Sequence, residues 1–194
     1  MAMKREECLM VLAKHRTDEI VLTAWQSVNA WEQLSPSRYN FASMRTMGEC
    51  STFGLGLALA RPEKRILVLE GDGSLCMNLG SLVTIATASP SNFYQFIMYN
   101  KVYETTGGQT IPNVDRLDLT MIARGAGIPR VYHYTDLAIF ESELAEILKE
   151  KGTVFAVLDI EPDKTHLFGG DFGKKVRSRD IFSNKQFREA LDND

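Results

Sequence analysis

One carboxylate set between two glycines, Gly71-Asp72-Gly73, closes the apolar run Ile66-Leu67-Val68-Leu69-Glu70, and Asn100 closes the next such run, Phe93 to Tyr99. Each run has the length and character of a buried strand, and helical spacing resumes after Gly73, so Asp72 and Asn100 stand at two strand ends where the chain turns. Glycine at 71 and 73 permits positive φ and close backbone approach, while the first amides of a following helix are unpaired donors at a positive dipole end. That combination suits a phosphate, with the Ser74 hydroxyl as one more polar group. A lone carboxylate there would repel a phosphate unless a divalent cation lay between the two. Mg²⁺ takes roughly six oxygens at about 2.1 Å, usually one or two from protein and the rest from phosphate and water. Asp72, the amide oxygen of Asn100 and the carbonyl of Val102 make an oxygen set of that kind.

Those residues need a frame of alternating strands and helices. Residues 4–14 place Cys8, Leu9, Val11 and Leu12 among charges, which predicts an amphipathic helix, and Ile20-Val21-Leu22 reads as a short buried strand. Ser27 to Leu34 is expected to be helical, with Trp25 or Trp31 turned inward, and to stop before Ser35-Pro36-Ser37. Met47 to Ala60 reads as a helix rich in small residues. Gly48, Gly54 and Gly56 each cost it about 1 kcal/mol against alanine, which predicts close packing against a backbone or a ligand. Leu75, Leu79, Leu82 and Ile85 keep helical spacing as far as Ser89-Pro90. Thr105-Thr106-Gly107-Gly108-Gln109 is expected to be a loop with free amides and hydroxyls, followed by a helix from Asp115 to Ala126.

Val131 to Tyr134 predicts a strand, Thr135-Asp136 an N-cap for a helix to Glu150, and Thr153 to Ile160 a strand buried on both faces. A basic segment with Lys164, Lys174, Lys175, Arg177 and Arg179 precedes a last helix opened by Ser183 and Gln186 at capping-box spacing. His133 and His166 have no partner evident in the sequence. The alternation predicts one domain over residues 1–194, an α/β fold with a doubly wound, mostly parallel sheet, helices on both faces, and a ligand outside the carboxyl ends of the strands.

Composition narrows the function classes. With 22 Lys and Arg against 25 Asp and Glu the net charge is −3, so nothing global points to nucleic acid or an anionic membrane. Cys8, Cys50 and Cys76 are odd in number and widely spaced, with no CxxC, and read as reduced thiols of a cytoplasmic chain. No apolar run approaches the roughly 18 residues of a membrane span, and acids stand where a signal peptide would turn apolar.

Gly71-Asp72-Gly73, the 26 residues from Ser74 to Tyr99, and then Asn100 resemble the metal and diphosphate signature of thiamine-diphosphate enzymes. The continuation Tyr103-Glu104-Thr105-Thr106-Gly107-Gly108-Gln109 is similar to a segment of phosphonopyruvate decarboxylases and of the beta subunit of sulfopyruvate decarboxylase. Tyr99, Lys101-Val102 and Arg45 depart from that pattern, standing where an Asn, an Asn-Gly type turn and a glycine are usual. The resemblance implies thiamine diphosphate and Mg²⁺ as cofactors, with Asp72, Asn100 and the Val102 carbonyl on the metal. It implies Gly71, Gly73 and Ser74 beside the diphosphate, Tyr103 and Thr105 in the loop over it, Met47 as an apolar prop for a bent cofactor, and the Arg45 carbonyl as acceptor for its amine.

The implied reaction is nonoxidative decarboxylation of phosphonopyruvate or sulfopyruvate to an aldehyde and carbon dioxide. This chain would be one half of the site. A pyrimidine-binding, alpha-type partner subunit in a hetero-oligomer would supply the activating glutamate. Three other readings stay open: another thiamine-diphosphate chemistry on a 2-oxo acid, a nucleotide-binding Rossmann domain, and a nonenzymatic regulatory or assembly subunit that keeps the fold. The absence of clustered cysteines for an iron–sulfur centre weighs against an oxidoreductase subunit, and the absence of GxGxxG against the Rossmann domain.

Overall fold

The run Ile66 to Glu70 is buried at every position, as a strand covered by helices on both faces must be. It belongs to a computed structural model that describes residues 2–44, 47–163 and 185–192. In chain order the elements are α1 (Arg5–His15), β1 (Ile20–Ala24), α2 (Ser27–Leu34), β2 (Asn40–Met44), α3 (Cys50–Ala60), β3 (Ile66–Gly71), α4 (Asp72–Cys76), α5 (Ser81–Ala88), β4 (Asn92–Tyr99), β5 (Val102–Tyr103), β6 (Gln109–Thr110), α6 (Leu119–Gly125), β7 (Arg130–Tyr134), α7 (Leu137–Lys149) and β8 (Gly152–Asp159). A further helix spans 185–192.

Six strands form one sheet in the order β2-β1-β3-β4-β8-β7, and every pairing in it is parallel. The expected doubly wound α/β fold is therefore present. Alternate residues of each strand feed opposite layers. Val21, Leu67, Leu69, Tyr94, Phe96 and Met98 pack with Cys8, Leu9 and Leu12 of α1, Trp31 of α2 and Phe140 and Leu144 of α7. Their neighbours Ile20, Leu22, Ile66, Val68 and Phe93 pack with Cys50, Leu55 and Ala58 of α3, Ile85 of α5 and Phe187 of the last helix. Ile97, Tyr99, Phe155 and Val157 pack with Leu75, Leu82 and the α6 residues Leu119 and Ala123. Trp31, rather than Trp25, is the fully buried indole, and its Nε1 donates to Asn40 Oδ1 at 3.2 Å.

Several expectations need correction. β2 is a strand that its residues do not announce: Asn40, Ala42 and Ser43 favour strands weakly, and pairing with β1 (Val21 with Asn40, Leu22 with Phe41) makes the segment extended. The helix expected through Leu75 to Ile85 is two helices. The chain turns over Met77–Gly80 because the Asn78 side chain donates to Gly48 O at 3.0 Å, while Ser81 Oγ donates to Asn78 O at 2.7 Å. α6 starts at Leu119, not Asp115, since Asp118 caps it by accepting from the Thr120 and Met121 amides. The expected loop at 105–109 is the turn of a small antiparallel hairpin, β5 with β6, closed by Thr106 and Gln109 hydrogen-bonding each other. Asp136 caps α7 as expected. Among the described residues no helix is long and apolar enough to cross a membrane. Ser183, His166 and the basic segment lie outside the described residues.

The glycines of α3 divide. A Cβ at Gly54 would stand 2.5 Å from Val68 Cγ2 and 3.2 Å from Phe93, so the helix rests directly on the sheet there, whereas a Cβ at Gly56 meets nothing within 4 Å. The close packing expected at Gly56 is absent. Gly54→Ala should gain about 1 kcal/mol of helix propensity and lose about 1–3 kcal/mol to overpacking against a stiff β-branched neighbour, a net destabilisation. Gly56→Ala should stabilise by up to about 1 kcal/mol. Urea midpoints for the two variants moving in opposite directions would bear this out; equal shifts would refute it.

Candidate functional site

The strand order reverses at β1 and β3: the chain leaves β1 toward β2, then returns to place β3 on the other side. In doubly wound sheets ligands bind outside the carboxyl ends of strands at such a switch point. Here that place is a cleft with about 410 Å³ of empty space, counting its open mouth. The chain leaving β1 (Ala24, Trp25, Gln26), the turn after β3 (Gly71 to Ser74), Met98 and Asn100 at the end of β4, and the strip Val102 to Thr105 line it, together with Met47 and Arg5. The parallel register that sets Gly71 opposite Met98 puts Asp72 and Asn100 at adjoining strand ends.

Asp72 is 1% exposed. Its Oδ1 accepts from Gly73 N–H and its Oδ2 from Lys101 N–H, both at 2.7 Å. Burial pushes its carboxyl up to about 7; the amides of Lys101, Gly73 and Asn100 pull the other way, and the nearby negative Glu104 adds to the rise. Lys101 reaches Asp72 by taking φ of 70°, a left-handed conformation that a non-glycine residue adopts at a cost. Of Lys101 and Val102, only Lys101 takes the left-handed conformation. Asn100, 5% exposed, has its Oδ1 accepting from Val102 N–H at 3.1 Å.

These oxygens have lone pairs to spare, because a carboxylate or amide oxygen accepts more than one hydrogen bond. Among the described residues no group of three or more His, Cys, Asp or Glu is placed to hold a metal ion, and both oxygens of Glu104 are engaged by Arg5 and the Asp163 amide, so a cation beside Asp72 would meet its carboxylate and neutral oxygens. Such a hard set, with water or phosphate completing it, fits Mg²⁺ better than zinc or copper.

The two glycines of the turn act differently from expectation. Gly71 has φ of −83° and Gly73 is not among the residues with positive φ. Close approach, not backbone handedness, is what Gly73 permits, since a Cβ there would be 2.7 Å from the Tyr103 ring, whereas a Cβ at Gly71 meets nothing within 4 Å. Tyr103 therefore lies flush on the turn. Ser74 is in the cleft wall, but its hydroxyl proton goes to Glu70 Oε1 at 2.6 Å and its oxygen accepts from Gly48 N–H at 2.9 Å. The hydroxyl expected as one more polar group of the turn is thus engaged within the protein.

Glu70 is fully buried, accepts also from Ser51 Oγ and from Gln95 Nε2 at 3.2 Å, and is held above the usual carboxylate range by burial. Through Ser74 and Asn78 this network grips Gly48 by both its N–H and its carbonyl, and so places Met47 at the cleft. Thr105 lines the cleft, and Arg45 lies outside the described residues. His133, expected to lack a partner, faces Asp159 at 3.5 Å, and neither residue lines the cleft. The cysteines are free and buried or half-buried, with Cys8 pushed up to about 12 and Cys76 to about 11, chiefly by burial.

The sequence as a whole matches a known group. Residues 22–160 match the thiamine pyrophosphate enzymes' C-terminal TPP-binding domain. The chain belongs to that family. It is 42% identical over 123 residues to the sulfopyruvate decarboxylase subunit beta of Methanothermobacter thermautotrophicus, a match covering 63% of each chain. It is 33% identical over 147 residues to the phosphonopyruvate decarboxylase of Streptomyces viridochromogenes, covering 76% of this chain and 36% of that one. The chain thus spans less than two thirds of either relative. Against the sulfopyruvate decarboxylase subunit beta of Methanococcus maripaludis it is 32% identical over 165 residues, covering 84% of this chain and 86% of that one. Two solved structures share the fold at TM-score 0.71: an enzyme from Mycobacterium smegmatis described as thiamin diphosphate-dependent, at 21% identity, and the benzoylformate decarboxylase of Polynucleobacter necessarius, at 20%. Each covers 84% of this chain, while this chain covers 32% and 34% of theirs.

Arg5, Glu104, Trp25, Gln26 and Glu70 belong to the site or its support and were not singled out from sequence. A carboxylate inside an otherwise apolar strand was a usable signal for Glu70. Arg5 and Glu104 are 99 residues apart, and no local pattern joins them.

The raised Asp72 carboxyl predicts a pH dependence for the metal-free TPP-binding domain. Its folded value, about 7, lies above its unfolded one of 3.8, so between them the folded state keeps a proton that the unfolded state has released. The stability it contributes is full below about pH 4 and is lost as pH rises through about 7. Urea unfolding should show wild type losing up to a few kcal/mol over that range relative to Asp72→Asn, which cannot titrate. Parallel profiles for the two proteins would contradict it.

Proposed function

We propose that this chain is the diphosphate-binding half of a thiamine-diphosphate- and Mg²⁺-dependent 2-oxo acid decarboxylase, acting on phosphonopyruvate or sulfopyruvate and yielding an aldehyde and carbon dioxide. The observation that carries this reading is that Asp72 and Asn100, from adjoining strand ends, line one cleft with Met47 and with the Tyr103–Thr105 strip. The names of the relatives support the substrate class, and the designation of two of them as a subunit beta supports a two-chain enzyme.

In this reading all 194 residues form one domain. Asp72, the Asn100 amide and the Val102 carbonyl would hold Mg²⁺. Gly71 and Gly73 admit the diphosphate, Ser74 contributes its backbone, and Tyr103 and Thr105 cover it. Met47 would support the cofactor's bend, and the Arg45 carbonyl would accept from its amine. Bound thiamine diphosphate supplies the electron sink for loss of carbon dioxide. The residues of this chain do the remaining work: they would hold the cation that neutralises the diphosphate, fix its position and exclude water from the turn beneath Tyr103. A partner subunit of the pyrimidine-binding, alpha type would bring the activating glutamate, so this chain alone should not turn over substrate.

Calorimetry tests the half-site. Thiamine diphosphate should bind the chain, with its partner present, only when Mg²⁺ is added, and Asp72→Ala should abolish binding. Uptake that is independent of Mg²⁺ or survives the substitution would refute the assignment.

A further inference from the structure

Arg5 opens α1 and Glu104 opens the turn after β5, yet Arg5 Nη2 donates to Glu104 Oε2 at 2.5 Å with side chains 5% and 3% exposed. Both line the cleft. The second carboxylate oxygen, Glu104 Oε1, accepts from Asp163 N–H at 2.6 Å, so both oxygens of Glu104 are engaged by protein. Arg5 is different. A guanidinium carries five N–H donors, and among the described residues Glu104 is the one acceptor for them. Its remaining nitrogens are not sealed off without a partner as Arg130 Nη1 is, so they keep contact with the cleft. Arg5 is also the one cationic side chain among the described residues lining the cleft, where the other charges are Asp72 and Glu104.

A buried donor set with vacant N–H groups is rare in folded proteins unless something outside the chain completes it. The planar fork of a guanidinium matches two oxygens of a phosphonate or sulfonate, and one bond to Glu104 fixes its plane. Asp72, at the strand ends, suits a cation, whereas Arg5, also in the cleft lining, suits an anion.

We infer that Arg5, oriented by Glu104, determines specificity by binding the tetrahedral oxyanion, phosphonate or sulfonate, that a short 2-oxo acid substrate carries beside its carboxylate. The inference rests on the reading of the cleft as a 2-oxo acid site, and its test does not require turnover. Phosphonoacetate and sulfoacetate carry the oxyanion but no keto group; acetate lacks the oxyanion. Each is titrated calorimetrically into the full chain, with and without thiamine diphosphate and Mg²⁺.

Wild type is expected to bind phosphonoacetate or sulfoacetate more tightly than acetate, and Arg5→Met to weaken that binding roughly tenfold or more while leaving acetate and thiamine diphosphate unchanged. Unaltered binding in Arg5→Met, or no preference over acetate in wild type, overturns the inference. So does a loss of thiamine diphosphate affinity, which would make Arg5 a contact of the cofactor instead. If circular dichroism shows Arg5→Met unfolded, Arg5→Lys keeps the charge without the fork, and a several-fold selective loss for the oxyanion ligands supports the inference where no loss overturns it. Arg5-dependent oxyanion binding in a protein that decarboxylates nothing would sink the proposed function and overturn the substrate role given to Arg5, whereas decarboxylation with no Arg5-dependent binding would overturn this inference alone.

Discussion

The site depends on a carboxylate held out of water. Removing an ionised group such as Asp72 from solvent costs several kcal/mol unless something neutralises it, and among the described residues its carboxylate meets backbone N–H groups and a nearby negative Glu104. Lys101 adopts a left-handed backbone to deliver one of those N–H groups, so the turn spends conformational energy to keep the carboxylate oriented. A group kept buried and oriented at such cost is well suited to a cation, and Asn100 on the neighbouring strand end adds a neutral oxygen.

The parallel sheet makes that pairing possible. Because β3 and β4 run the same way in register, both end at the same edge, and because the strand order reverses between β1 and β3, the segments leaving those strands diverge and open a cleft. The layer beneath is stiffened by the buried Glu70. Its carboxylate collects hydrogen bonds from Ser51, Ser74 and Gln95, and Ser74 in turn holds the Gly48 amide. Met47 is thereby tied to the same turn that carries Asp72. Position at the cleft is shared among several elements, none of which needs to move far from its own core contacts.

The opposite wall is built from strain and long-range pairing. Trp25 leaves β1 with φ of 49°, and among the described residues no partner reaches its buried Nε1 or the buried Gln26 Oε1. Arg5 and Glu104 tie the start of the chain to the hairpin, and the Asp163 amide ties in the segment after β8. The parallel bridge of Met3 with Ile160 and the bond from Glu161 N–H to Met3 O run alongside. The start of the chain and the segment after β8 thus meet beside the cleft.

Much of this was legible in the amino acids themselves. Continuous apolar runs ending in Gly71-Asp72 and Tyr99-Asn100 specify buried parallel strands and the groups at their ends, since no other local structure tolerates such runs so well. The α7 cap at Asp136 and the α2 span Ser27 to Leu34 were equally plain, being set by neighbours in sequence. Contacts between distant segments decided the rest. β2 is a strand because β1 lies beside it. The helix after Asp72 breaks because Asn78 finds Gly48, and Ser74 turns its hydroxyl to Glu70 rather than to the cleft. Arg5 meets Glu104 across 99 residues. Local chemistry is written in adjacent residues, whereas the partner of a buried polar group is chosen by whichever group the closed fold brings within hydrogen-bond reach.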